Sequence, residues 1–429
     1  MAYPVTLHPH KDIFICKFDI LVSVIQFTML SDKNMIKNKT KNHSFLLIGI
    51  FCCVALVSNA LNSSPTSLKT SEQFLGVRSA AKSVYRSDLI ITWGGSNSDS
   101  GNGIVLDDSG NIYITGETES FGAGSDDAFI AKYDSAGNSL LNITWGGSNS
   151  EGGNDIVLDN SGNIYITGHT YSFGAGADDA FIAKYDSAGT SLLNITWGGS
   201  GGEERGYGIA LDDSGNIYIT GETSSFGVGS WDAFIAKYDS AGNSLLNITW
   251  GGNDNDFGYG IVLDDSGNIY ITGLTDSFAV GSWDAFIAKY DSAGNSLLNI
   301  TWGGSNYDSG LGIALDDSGN IYITGRTYSF GAGSYDAFIA KYDSAGNSLL
   351  NITWGGSDYD RGTGIALDDS GNIYITGGTE SFGAGDRDAF IAKYLSGDDD
   401  TPRISGYNPF FLIGFLCISL LILTKKRLK

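Results

Sequence analysis

Apolar and polar residues alternate along most of this chain in runs of five to seven positions, separated by Gly, Asp, Ser and Asn. Ile112 and Ile114 alternate with Tyr113 and Thr115, which is the period of a pleated strand. The pattern predicts four strands in succession: A at 103–107, B at 111–116, C at Asp127–Tyr133 and D at Ser139–Trp145. Asp108-Ser109-Gly110 and Ser135-Ala136-Gly137-Asn138 supply the tight turns, with a Gly that tolerates positive φ in each. A Gly-rich loop, 117–126, joins B to C. No segment between 88 and 394 offers helical spacing, and Gly recurs too often there for a stable helix.

This unit recurs almost verbatim. Trp93, Trp145, Trp197, Trp250, Trp302 and Trp354 each precede Gly-Gly, at spacings of 52, 52, 53, 52 and 52 residues. Four antiparallel strands in a repeat of about this length describe the blade of a propeller. Strand A occurs six times, the last unit stops after strand C at Tyr394, and one extra strand D, 88–93, precedes the first A. The expected fold is therefore all-β: a six-bladed β-propeller of four-stranded antiparallel blades. The N-terminal strand is expected to complete the last blade and close the ring.

The runs GIALDDSGNIYITG and DAFIAKYD resemble the bacterial and archaeal β-propeller repeat called SBBP, and the likeness spans residues 88–394. That family's name refers to seven blades, whereas this chain holds material for six. The resemblance implies an extracellular scaffold with no single shared activity; a fold of this kind does not fix a function.

The 60 glycines among 429 residues have no G-X-Y period, and aromatics make up 12%, so neither collagen nor plain disorder fits. The net charge is −23, and 44 of the 48 acidic residues lie within 88–400 against 10 Lys and Arg. A body so acidic repels phosphate backbones, which argues against nucleic acid as a partner. Cations and a salty medium suit it better. None of the four Cys falls in 61–400, so that region has no disulfide, thiol nucleophile or Cys zinc site.

The two ends read differently. Residues 35–60 carry Lys37, Lys39 and Lys41, an apolar run at 45–57 and small residues at Ser58 and Ala60, the order of a secretory signal peptide. Translation is expected to start at Met35, with 1–34 a misassigned leader and 61–87 a linker. After an acidic spacer, 395–406, residues 407–424 form an apolar stretch of 18 residues, about 27 Å as a helix, followed by a basic tail at 425–429. This suits a single membrane-spanning helix with the tail in the cytoplasm and the propeller outside. The segment resembles the C-terminal sorting segments of archaeal surface proteins of the Heimdall-CTERM type, with Ser405-Gly406-Tyr407 where that family has Pro-Gly-Tyr.

With strand A innermost, the B–C and D–A loops share one face, and the variable residues gather there. Trp231, Trp283 and Tyr335 precede strand C; Tyr207 and Tyr259 lie two residues before the strand-A Ile; Tyr307 and Tyr359 lie six before it. Such an arc of aromatics on a rigid scaffold suits sugar rings or a protein surface. Five residues before the same Ile an acid always stands: Asp99, Glu151, Glu204, Asp256, Asp308 and Asp360. A ring of these around the channel mouth would hold Ca²⁺; the alternative is that each accepts backbone N–H groups of its own Gly-rich turn.

Asn142, Asn194, Asn247, Asn299 and Asn351 begin N-I-T sequons on the outermost strand and are candidate glycosylation sites. One Lys per blade, from Lys132 to Lys393, suggests pairing with a turn acid. A catalytic site breaks repeat symmetry at a few places, yet only the aromatic arc and Arg205, Arg326, Arg361 and Arg387 do so, and the lone exported His169 has no G-x-S-x-G elbow. The expected function is a monomeric, surface-anchored, non-catalytic binding or adhesion module for a glycan or protein. A passive envelope component and a carbohydrate-active enzyme are the alternatives.

Overall fold

The computed structural model describes residues 89–396, except 384. The leader, signal peptide, linker, spanning helix and basic tail expected from the sequence lie outside these residues. All 23 strands run in sequence order through six antiparallel sheets, five of four strands and one of three. Blade 1 comprises β1 (Asp99–Leu106), β2 (Ile112–Thr118), β3 (Asp127–Tyr133) and β4 (Ser139–Trp145). Blade 6 comprises β21 (Asp360–Leu367), β22 (Ile373–Thr379) and β23 (Asp388–Tyr394). The first strands of the blades between them are β5 (Glu151–Leu158), β9 (Glu204–Leu211), β13 (Asp256–Leu263) and β17 (Asp308–Leu315). Consecutive first strands pack on one another, so strand A is innermost, as expected.

The turns follow from their sequence. In the first A–B turn the Asp107 carboxylate accepts the backbone N–H groups of Ser109 and Asn111, the Asn111 amide and the Tyr113 hydroxyl. Gly110 takes a φ of 77° there, a conformation that costs most other residues. Each repeat Lys lies over the ring of its strand-B Tyr, as Lys132 does over Tyr113 at 4.7 Å. Lys341 and Lys393 also come within 4.0 Å of the turn acids Asp316 and Asp368.

The blades are joined by one apolar interface used five times. Tyr113, Ala128 and Ile130 of blade 1 meet Ile156, Ile164, Ile166 and Phe181 of blade 2. The Trp ending strand D reaches across the seam: Trp145 stacks on Phe181 at 4.0 Å and its indole N–H donates to the Asn194 side chain at 2.9 Å. Burial of these layers, at roughly 25 cal/mol per Å² of apolar surface, is what holds the blades together.

Two expectations are corrected. Strand A starts four residues earlier than its hydrophobic pattern suggests, because a bulge between Gly101 and Gly103 lets the D–A loop continue pairing with β2. Gly116 faces this bulge so closely that a Cβ there would lie 1.8 Å from the Ser100 carbonyl oxygen. The closing strand is not formed. Residues 89–93 adopt no strand, although Trp93 stacks on Phe129 at 3.8 Å and donates to Asn142, the contacts that the strand-D residues Trp145, Trp197, Trp250 and Trp302 make with the following blade.

Blade 6 keeps three strands, and β1 does not pack on β21 as the other innermost neighbours do. Ile104 and Leu106 on blade 1 remain 65% and 60% exposed, and Ile391 on blade 6 is 81% exposed. Their counterparts Ile156 and Ile339 are 2% and 1% exposed. Among the described residues these faces of blades 1 and 6 are therefore left uncovered. Ile339→Val is expected to lower stability by about 1 kcal/mol and Ile391→Val by almost nothing; equal losses in urea denaturation would show the ring sealed.

Candidate functional site

The B–C and D–A loops interlock on one face. The Asp256 N–H donates to the Trp231 carbonyl at 2.8 Å, the Asp308 N–H to the Trp283 carbonyl at 2.7 Å, and the Asp360 N–H to the Tyr335 carbonyl at 2.7 Å. Each B–C tip is thus hooked to the first residue of the next innermost strand. Within the loop, the acid that opens strand C accepts further backbone N–H groups, as Asp232 does from Val228 and Gly229. This fixes Trp231, Trp283 and Tyr335 at successive seams.

The innermost-strand bulge supplies the remaining rings. Tyr207 is the unpaired residue between Gly206 and Gly208, and Tyr259 holds the same place between Gly258 and Gly260. A bulged residue is released from the alternation of its strand. Their rings meet edge to face at 5.2 Å.

All seven aromatic residues singled out in the sequence join one run of contacts. Phe257, which the sequence reading missed, bridges it: its ring lies 6.2 Å from Trp231, 5.6 Å from Trp283 and 6.4 Å from Tyr259. From Trp283 the run continues to Tyr307 at 6.3 Å, Tyr335 at 5.8 Å and Tyr359 at 5.2 Å. Every one of these rings is half-buried, so each is held by its neighbours and still meets solvent. The signal for Phe257 was its position directly after the repeated acid, where blades 1, 2 and 5 carry Ser or Gly.

Charged side chains gather at both ends of the arc. At blades 2 and 3, Asp178, Glu203 and Glu222 surround Arg205, whose Nε donates to Asp178 at 2.7 Å. The Tyr207 hydroxyl donates to Glu222 at 2.9 Å. Burial raises the Asp178 carboxyl to about 6, against the pull of Arg205. At blades 5 and 6 stand Arg326, Arg361 and Arg387. Arg326 lies over Tyr307 at 4.8 Å and donates to the hydroxyls of Tyr307 and Tyr359.

The six repeated acids take the second of the two readings given above. Asp99 accepts Gly95 N–H at 2.7 Å together with the Thr118 and Ser120 hydroxyls. Glu151 and Glu204 accept Gly147 and Gly199 N–H plus Ser172 and Ser225 N–H. Asp256, Asp308 and Asp360 accept Gly252, Gly304 and Gly356 N–H plus the hydroxyls of Ser277, Ser329 and Ser381. Each acid latches the D–A loop to the B–C loop of its own blade. Among the described residues no three His, Cys, Asp or Glu side chains gather where a metal ion could sit.

The sequon asparagines are exposed on the outermost strand. Their side-chain oxygens are engaged: Asn142, Asn194, Asn247, Asn299 and Asn351 accept the indole N–H of Trp93, Trp145, Trp197, Trp250 and Trp302. Their amide nitrogens each donate one bond to a nearby Ser, as Asn142 does to Ser139.

Residues 89–121, 197–227, 245–278, 301–331 and 353–381 match the family described as Beta-propeller repeat, SBBP. Among curated proteins, the chain is 24% identical over 235 residues to the Regulatory protein FlaEY of Caulobacter vibrioides, covering 48% of this chain and 24% of that one. It is 25% identical over 193 residues to the uncharacterized WD repeat-containing protein L264 of Acanthamoeba polyphaga mimivirus, covering 33% of this chain and 14% of that one. The chain thus spans a quarter or less of these relatives' lengths. Among solved structures it resembles Streptogramin B lyase, with 14% identity, a TM-score of 0.45 and coverage of 69% and 82% of the two chains. It also resembles a putative 6-phosphogluconolactonase from Bacteroides fragilis, with 13% identity, a TM-score of 0.41 and coverage of 64% and 76%.

Proposed function

We propose that this chain is a monomeric, non-catalytic binding module that holds a glycan or protein ligand across the aromatic arc. The observation that carries the reading is the unbroken run of half-buried rings from Tyr207 to Tyr359. Rings held by mutual contact present flat apolar faces at little entropic cost on binding. Loops on a rigid β scaffold are the usual carriers of such contacts.

The signal-like stretch at 35–60 and the apolar stretch at 407–424 with its basic tail support display at the cell surface, with membrane attachment through the C-terminal segment. Glycans on Asn142, Asn194, Asn247, Asn299 and Asn351 would shield the outer rim; each amide nitrogen retains one hydrogen for that bond. Replacing Trp231 and Trp283 together by Ala tests the reading. The fold should be retained at a cost of about 1–3 kcal/mol for the lost ring contacts, while binding on a glycan array or to envelope extract should fall at least tenfold. Undiminished binding would reject the arc as the site.

A further inference from the structure

The blade 5–6 end of the arc holds three arginines in a body that is otherwise strongly acidic, and two of them have no carboxylate within 4.0 Å among the described residues. Arg326 spends its two terminal nitrogens on the hydroxyls of Tyr307 and Tyr359. Its Nε and that of Arg361 are buried donors without an acceptor. A buried donor left unmet is unfavourable and calls for an acceptor.

The surroundings form a built recess. Tyr359 is flanked by two guanidinium groups, Arg326 at 5.9 Å and Arg387 at 5.1 Å from its ring centre. Gly378 stands opposite Arg361 on the neighbouring strand, where the other blades carry Glu117, His169, Glu222, Leu274 and Arg326. A Cβ at Gly378 would meet only the methylenes of Arg387 at 3.4 Å and Arg361 Nε at 4.0 Å. The hollow left by the missing side chain is thus walled by two arginines. The Tyr307 and Tyr359 oxygens accept from Arg326, so their own O–H groups are left to donate outward. Glu380 neutralises Arg387 alone, at 2.6 Å.

We propose, resting on the reading of the arc as a ligand site, that this recess takes the anionic group of an acidic saccharide whose neutral rings lie along the aromatic run. Planar guanidinium groups match carboxylate and sulfate oxygens, and the tyrosine hydroxyls complete the set of donors. The acidic cluster at blades 2 and 3 repels the same group, so the saccharide lies in one direction along the arc, anionic end at blade 6. A positively charged ligand would seat in reverse, and the unmet arginine donors would stay unmet.

The test titrates the purified full chain with polygalacturonate, dextran sulfate and neutral dextran, and repeats each titration with Arg361→Gln and with Arg326→Gln. Binding of a charged polymer at least tenfold tighter than of dextran, lowered at least tenfold by Arg361→Gln with dextran binding unchanged, supports the proposal. The polymer that responds identifies carboxylate or sulfate as the group. Arg361→Gln is the decisive variant, because Arg326 also holds two tyrosines in place. Arginine-insensitive binding, or dextran binding as tight as the charged polymers, overturns the proposal and leaves the arc reading standing. No binding of any of the three overturns the proposal, and the arc reading then stands or falls on the glycan-array and envelope-extract test of the Trp231 and Trp283 double variant.

Discussion

Trp250→Ala is expected to lower the stability of the propeller by about 3–5 kcal/mol. Trp250 ends the strand Ser244–Trp250 and is the most deeply buried of the seam tryptophans. Its ring stacks on Phe286 at 3.8 Å and tilts against Phe278 at 5.2 Å. Its indole N–H donates to Asn299 at 2.8 Å. Truncation removes the transfer energy of the ring, leaves a cavity between blades 3 and 4, and strips Asn299 of its donor. Trp250→Phe keeps a stacked ring and loses the hydrogen bond, so its expected cost is about 1–2 kcal/mol. Because each blade meets only its neighbours, the loss is felt as a weakened link in the series. Chemical denaturation measures it; a loss below 1 kcal/mol for Trp250→Ala would mean the seams are not held by these rings.

The second large effect depends on pH. Asp155 occupies the position that the other five blades give to Gly103, Gly208, Gly260, Gly312 and Gly364. It accepts the N–H of Ile156 at 2.9 Å and, across the blade boundary, of Ile209 at 3.0 Å. Burial raises its carboxyl to about 6, and these two bonds only partly oppose the rise. The unfolded chain releases this proton near pH 4, whereas the folded chain keeps it to about 6. Stability is therefore lost as pH rises through that window, by about 2–3 kcal/mol. Asp155→Asn keeps an acceptor and removes the charge. Its stability should match the wild type near pH 4 and exceed it by about 2–3 kcal/mol above pH 7. Parallel stability curves from pH 4 to 8 would show that Asp155 ionises without penalty.

Much of this was legible before any coordinate, because six near-identical copies average away local ambiguity. Ile112, Tyr113, Ile114 and Thr115 announced a strand, and Asp107 to Asn111 announced its turn. The shared face of the B–C and D–A loops followed from strand order alone. What escaped was set by geometry that no single repeat encodes. The start of β1 was hidden because Asp99 to Gly103 is polar and Gly-rich, and only its bulged pairing with β2 makes it strand. The regular spacing of the acids from Asp99 to Asp360 suited a ring and separate turns alike; their donors, such as Gly95, Thr118 and Ser120 for Asp99, follow from loop pairing that spacing does not decide. The exposed faces of blades 1 and 6 rest on contacts between the two ends of the repeat array, which no single repeat encodes. Phe257 and Gly378 stand at positions that vary from blade to blade, and such variation alone does not say which departures come together.

The most direct test of the arc as the working surface uses its tryptophans. The chain has eight; five sit in the seams, Trp93 lies on blade 1, and Trp231 and Trp283 stand in the arc. In the full chain labelled with 5-fluorotryptophan, adding a saccharide retained on the glycan array should shift the fluorine resonances of Trp231 and Trp283 and leave the other six in place. Saturable binding that moves seam resonances while those two stay fixed would contradict the account.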